Sequence, residues 1–110
     1  MADAWIETKD DQKQFKAGDV LEGHVIWHDA KVESATLRLF WRTMGKGTQD
    51  VGPESEISFD APRDADKRPF RFVLPAGPLS YDGTLVAIVW GLELELLPEQ
   101  RVESLDILVS

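Results

Sequence analysis

PFRFVLPAGPLSYDGTLVAIVWGLELEL, residues 69–96, holds two apolar-alternating runs separated by a stretch that no strand ladder can use. Phe70, Phe72 and Leu74 recur every second residue, and so do Val86, Ile88, Trp90, Leu92, Leu94 and Leu96. Period two is the signature of a strand with one buried face. Between the runs, Pro75 and Pro78 lack amide donors and Gly77 is conformationally free, so the segment predicts a connection. Ser80, Tyr81, Asp82 and Gly83 then predict a turn. The connection is too long for a tight hairpin, which predicts a crossover between two sheets.

The competing reading of LVAIVWGLELELL, residues 85–97, is a helix, because leucine and glutamate are good helix formers. Gly91 in mid-run, β-branched Val86, Ile88 and Val89, and the strict alternation all favour a strand. Working outward, FKAGDVLEGHVIWHD (residues 15–29) has a turn at Gly18 and Asp19. Leu21, Gly23, Val25 and Trp27 then share one face, with Glu22, His24 and His28 on the other. Val32 to Arg42 repeats the pattern, with Ala35, Leu37, Leu39 and Trp41 inward. Trp5 to Thr8 predicts a short edge strand, Ile57 and Phe59 a further short strand, and Leu105, Ile107 and Val109 the last.

Six or seven strands in 110 residues predict one all-β domain over 1–110, an immunoglobulin-like antiparallel β-sandwich of two packed sheets. The inward set holds over a dozen large apolar side chains, each worth roughly 1.5–3 kcal/mol when buried, enough to support the fold without cross-links. Cysteine is absent, which removes disulfides, thiolate nucleophiles and cysteine zinc sites. The opening MADAWIETKDDQK has neither the cationic nor the apolar block of a signal peptide, and a cytoplasmic location is expected. With 12 basic and 20 acidic residues, the formal charge of −8 repels phosphate backbones and anionic lipid at long range. Nucleic acid and membrane insertion are therefore not expected.

The quoted segment resembles that of arrestin-fold domains: an aromatic strand ending in Leu-Pro, a Pro-, Gly- and Ser-containing connection, a glycine, and a strand with an aromatic near its middle. FKAGDVLEGHVIW is similar to that family's early strand, and AKVESATLRLFWR (residues 30–42) follows as its next alternating strand. Together the three blocks span about residues 15–97. The family, which includes arrestin-domain and sporulation-control-type proteins, usually carries two sandwiches in tandem, and this chain is similar to the N-terminal one. The resemblance implies an arrestin-like fold and a protein-binding role. The lysine pair and arginine-containing tail with which receptor-binding arrestins sense phosphate have no counterpart, so that activity does not carry over. The stretch Thr43 to Glu56 stands where those proteins have a mobile central loop.

Residues suited to catalysis are few. His24 and His28 lie on one strand face about 13 Å apart, too far to share a metal without a bulge. Asp60, Asp64 and Asp66 occur among Arg63, Lys67 and Arg68, without the glycine and distal glutamate of a calcium loop. Ser80 lacks a nucleophile-elbow setting, Glu93 and Glu95 read as a solvated face, and MGKG (residues 44–47) lacks the spacing of a phosphate-binding loop. No enzyme activity, cofactor or metal is expected. Trp27, Trp41 and Trp90 fall in inward sets.

The outward faces carry the functional expectation. Ile26, Phe40, Val73, Ala87 and Val89 occupy positions where polar side chains are usual. If their strands adjoin in one sheet, they form an apolar patch, and such patches mark interfaces. The expected function is a non-catalytic protein-interaction or assembly module, its partner another protein or a second copy of itself. The alternative is a small-ligand or carbohydrate-binding β-sandwich.

Overall fold

Nine strands form two sheets around one core in the computed structural model, which describes residues 3–28, 31–45, 51–75, 81–82, 86–98 and 100–110. They are β1 Asp3–Thr8, β2 Gln14–Phe15, β3 Val20–His28, β4 Val32–Gly45, β5 Val51–Phe59, β6 Asp66–Val73, β7 Tyr81–Asp82, β8 Val86–Pro98 and β9 Arg101–Val109. Among the described residues the only helical segment is a 3-10 turn, Lys9–Asp11. One sheet has the order β1-β3-β6. The other runs β2-β9-β8-β4-β5, with β7 paired to β8. The chain therefore crosses from the three-stranded sheet at β6 to the larger sheet at β7 and β8, as the proline-bounded connection predicts. Residues 76–80, including Ser80, lie outside the described residues, as do 83–85.

The alternation that predicts the strands also selects the core. Leu21, Val25 and Trp27 from β3 meet Leu37 and Leu39 from β4 and Trp90, Leu92, Leu94 and Leu96 from β8, all fully buried or within 1% of it. Phe70, Phe72 and Leu74 come in from the three-stranded sheet, and Ile107 and Val109 from β9. Trp41 is half-buried against this cluster.

Two strands are longer than the sequence reading. β4 continues to Gly45, where it pairs with Val86, and β5 begins at Val51 inside the stretch expected to be a loop. Leu39 faces Ser55 while Phe40 faces Pro53, so Glu54 is an extra residue, a β-bulge. A bulge breaks period two, and an edge strand tolerates proline; both disguise β5 in the sequence. Residues 46–50 lie outside the described residues.

The turn before β3 follows from its glycine. Asp19 N–H donates to Lys16 O at 3.0 Å, Lys16 N–H donates to Asp19 Oδ2 at 2.9 Å, and Gly18 has φ +87°. That is a type II turn, which needs a positive φ at its third residue. Gly23 is constrained differently. It faces inward, and a Cβ there would sit 1.9 Å from Glu7 O and 2.8 Å from Thr8 Cα, because the end of β1 lies directly over it. The Gly23→Ala substitution therefore has to displace backbone, and is expected to destabilise the fold by about 3 kcal/mol. Gly18→Ala, strained only in φ, should cost about 1–2 kcal/mol. Urea denaturation of the two variants checks the order; equal losses would refute the close approach of β1.

Candidate interaction surface

The expected patch is divided between the two sheets. Ile26 of β3 and Val73 of β6 face outward from the three-stranded sheet, while Phe40, Ala87 and Val89 belong to β4 and β8 of the larger one. Contiguity across all five, which required one sheet, is therefore corrected: the chain changes sheet between β3 and β4, returns between β5 and β6 and changes again between β6 and β7, so β3 and β6 lie in one sheet and β4 and β8 in the other. Within the three-stranded sheet, Val73 pairs with Val20, which is six residues and about 20 Å along β3 from Ile26. Ile26 instead faces Trp5 of β1.

On the larger sheet Phe40 and Val89 are diagonal neighbours, because Phe40 pairs with Gly91 and Arg42 with Val89. Both are half-buried. A Cβ on Gly91 would lie 3.1 Å from Phe40 Cζ, so the Phe40 ring covers the bare backbone of the neighbouring strand. The side chain of Ala87 lies outside the described residues; its backbone pairs with Met44 and Asp82. Of the four members whose side chains are described, Val73 is the most exposed, at 58%, and its cross-strand partner Val20 is 39% exposed. Val20 was missed because it abuts the turn at Gly18 and Asp19, where alternation has only begun.

Arg38 organises the rest of the larger sheet's outer face. It stands between Glu93 on β8 and Glu56 on β5, each directly opposite it. Its guanidinium lies 3.1 Å from Glu56, 3.3 Å from Glu95 and 3.7 Å from Glu93. Burial alone would lower the Arg38 pKa, but hydrogen bonds and charge from Glu95 and Glu56 outweigh it and hold the pKa above its usual value. Arg42 likewise reaches Asp106 on β9 at 3.6 Å. Glu93 and Glu95 are thus tied to an arginine as well as solvated, which one strand's sequence cannot reveal.

His24 and His28 both face outward, and His28 packs edge-on against Trp5 with ring centroids 5.0 Å apart. The aspartates between β5 and β6 brace a loop. Asp64 Oδ1 accepts from Val32 N–H at 3.3 Å, Asp66 Oδ2 pairs with Arg68 Nε at 3.0 Å, and Arg68 also donates to Asp60 O. The indole of buried Trp27 donates to Arg63 O at 2.6 Å, anchoring this loop over the core. No group of three or more metal-ligating side chains occurs among the described residues. No helix among them is long and apolar enough to cross a membrane.

No protein-family model and no curated protein sequence matches this chain. Among solved structures, Spo0M, a sporulation control protein from Bacillus subtilis, superposes with a TM-score of 0.62 at 19% identity. The fold is arrestin-like. The match covers 99% of this chain and 48% of Spo0M, so the arrestin-like sandwich spans about half of that protein's length. A β-glucosidase from Listeria innocua in complex with gluconolactone matches with a TM-score of 0.51 at 11% identity, over 99% of this chain and 16% of that one. At these identities the likenesses establish architecture alone.

Removing Arg38 leaves three carboxylates facing one another. Because its side chain is 33% exposed, Arg38→Met is expected to cost only about 1 kcal/mol at low ionic strength, and less in high salt. A raised pKa means that the guanidinium's contribution is complete below its unfolded value and is lost only in strong alkali. The loss should accordingly be flat between pH 6 and pH 9, as thermal melts in low and high salt would show. A loss independent of salt would contradict the ion-pair account.

Proposed function

We propose that this chain is a non-catalytic, cytoplasmic protein-interaction module that docks a second copy of itself through outward apolar side chains. The carrying observation is the Val20–Val73 pair, two large apolar side chains standing in water on adjacent strands. Apolar area held in water gains by association, roughly 25 cal/mol for each Å² removed. Trp5, 37% exposed, adds to the same sheet face, and Phe40 with Val89 supply a second site on the other sheet. A second copy is favoured as occupant because the sandwich corresponds to about half of Spo0M, and the arrestin resemblance implies sandwiches working in pairs.

Light scattering after size exclusion, across a concentration series, is expected to show a rise from monomer to dimer mass. Val20→Glu with Val73→Glu should abolish that rise while leaving the circular dichroism and melting temperature unchanged. If Phe40→Glu with Val89→Glu abolishes it instead, the larger sheet is the docking face. A strict monomer at every concentration would refute the second copy as partner.

A further inference from the structure

A groove of about 360 Å³ crosses β3 at Gly23, from the end of β1 to Pro69 and Phe70 of β6. Its size lies within the usual range for small-molecule sites. Gly23 has no side chain and Pro69 no amide donor, so this part of the lining is apolar. The rim carries Glu7, Lys9, Glu22 and His24. Glu7 Oε1 accepts from the Trp5 indole at 3.0 Å, which orients that carboxylate, and Lys9 Nζ lies 3.3 Å from Glu22 Oε1. Arg71 stands opposite Glu22 on β6. The lining thus holds two carboxylates and one lysine, and Arg71, outside the lining but opposite Glu22, brings a second cation to the same strand pair, which leaves little net charge around the groove.

Thr8 provides an independent sign of unmet hydrogen bonding. It lines the groove, is only 7% exposed, and its Oγ1 has no hydrogen-bond partner among the described residues. A buried hydroxyl without a partner is costly and calls for an explanation. Each hydroxyl of a polyol donates and accepts at once, and so needs a donor and an acceptor side by side. The Lys9–Glu22 pair offers that arrangement, while the C–H face of a sugar ring suits the Gly23 and Pro69 surface. A charged ligand would meet one like charge for each opposite one, so the balance selects for neutrality.

We infer that this groove binds a neutral polyhydroxylated small molecule of the sugar class, held by Glu7, Thr8, Lys9, Glu22 and His24. Glu22 lies two residues from Val20 on the same outward face, so the groove adjoins the Val20–Val73 surface, and the sugar titration is run at a concentration where light scattering gives the monomer mass, which keeps its outcome distinct from that of the dimer test. The isotope-labelled full chain is titrated with glucose, galactose, mannose and N-acetylglucosamine, following backbone amide shifts and Trp5 fluorescence. At least one of these sugars should give saturable shifts at Thr8, Gly23, His24 and Phe70, with glucosamine and glucuronate binding more weakly. Glu22→Gln is expected to weaken binding about tenfold. Thr8→Val is expected to raise the melting temperature, because the orphan hydroxyl is gone, and to lower sugar affinity. Three results would overturn the inference: no saturable shift with any of the four sugars, shifts confined to other parts of the chain, or wild-type affinity in both variants.

Discussion

The antiparallel ladder between β4 and β8 is the constraint on which the other elements depend. It runs from Val32 opposite Pro98 to Gly45 opposite Val86, and it sets Leu37 against Leu94 and Leu39 against Leu92 on the inward face. All four leucines are fully buried. A slip of one residue would turn every one of them outward, so burial holds the register. The same register places Arg38 against Glu93 and Phe40 against Gly91 on the outward face. The acidic face and the covered glycine are therefore consequences of the core.

The three-stranded sheet closes over this ladder through two kinds of contact. Trp27, fully buried, stacks obliquely near Phe59 at 6.5 Å and donates to Arg63 O, joining the middle strand to the edge of the larger sheet and its loop. At the other end, the turn at Gly18 holds Leu74 through Gly18 N–H to Leu74 O and Leu74 N–H to Asp19 O. Ser110 N–H donates to Phe15 O and Ala17 N–H to Ser110 O, so the residue after β9 is bound to β2 and to the turn that precedes β3. The close approach of β1 over Gly23 belongs to this closure. It also brings Glu7, Thr8 and Lys9 to the groove that crosses β3, so one missing side chain serves both packing and the groove's shape.

Much of the architecture was legible because period two is local. β3, β4, β6, β8 and β9 each declare their inward face through residues two apart, and the prolines between β6 and β8 mark the change of sheet. β5 was legible only in its second half, because the bulge at Glu54 shifts the parity and Pro53 imitates a turn. The interaction patch was read one strand at a time. That suffices to identify Val73 as outward, but not to discover that Val20 is its neighbour or that Ile26 lies at the far end of the same strand.

By itself, then, the sequence determined an all-β sandwich and the identity of its core, since alternation and turn residues act over a few neighbouring positions, while the arrestin-like kind of fold was legible only through the resemblance of its three blocks to that family. Tertiary structure alone decided which outward residues meet, why Arg38 gathers three glutamates, and where the groove lies. Those contacts join strands separated by up to about sixty residues. Their geometry is set by sheet order and register, which come from packing the whole core at once.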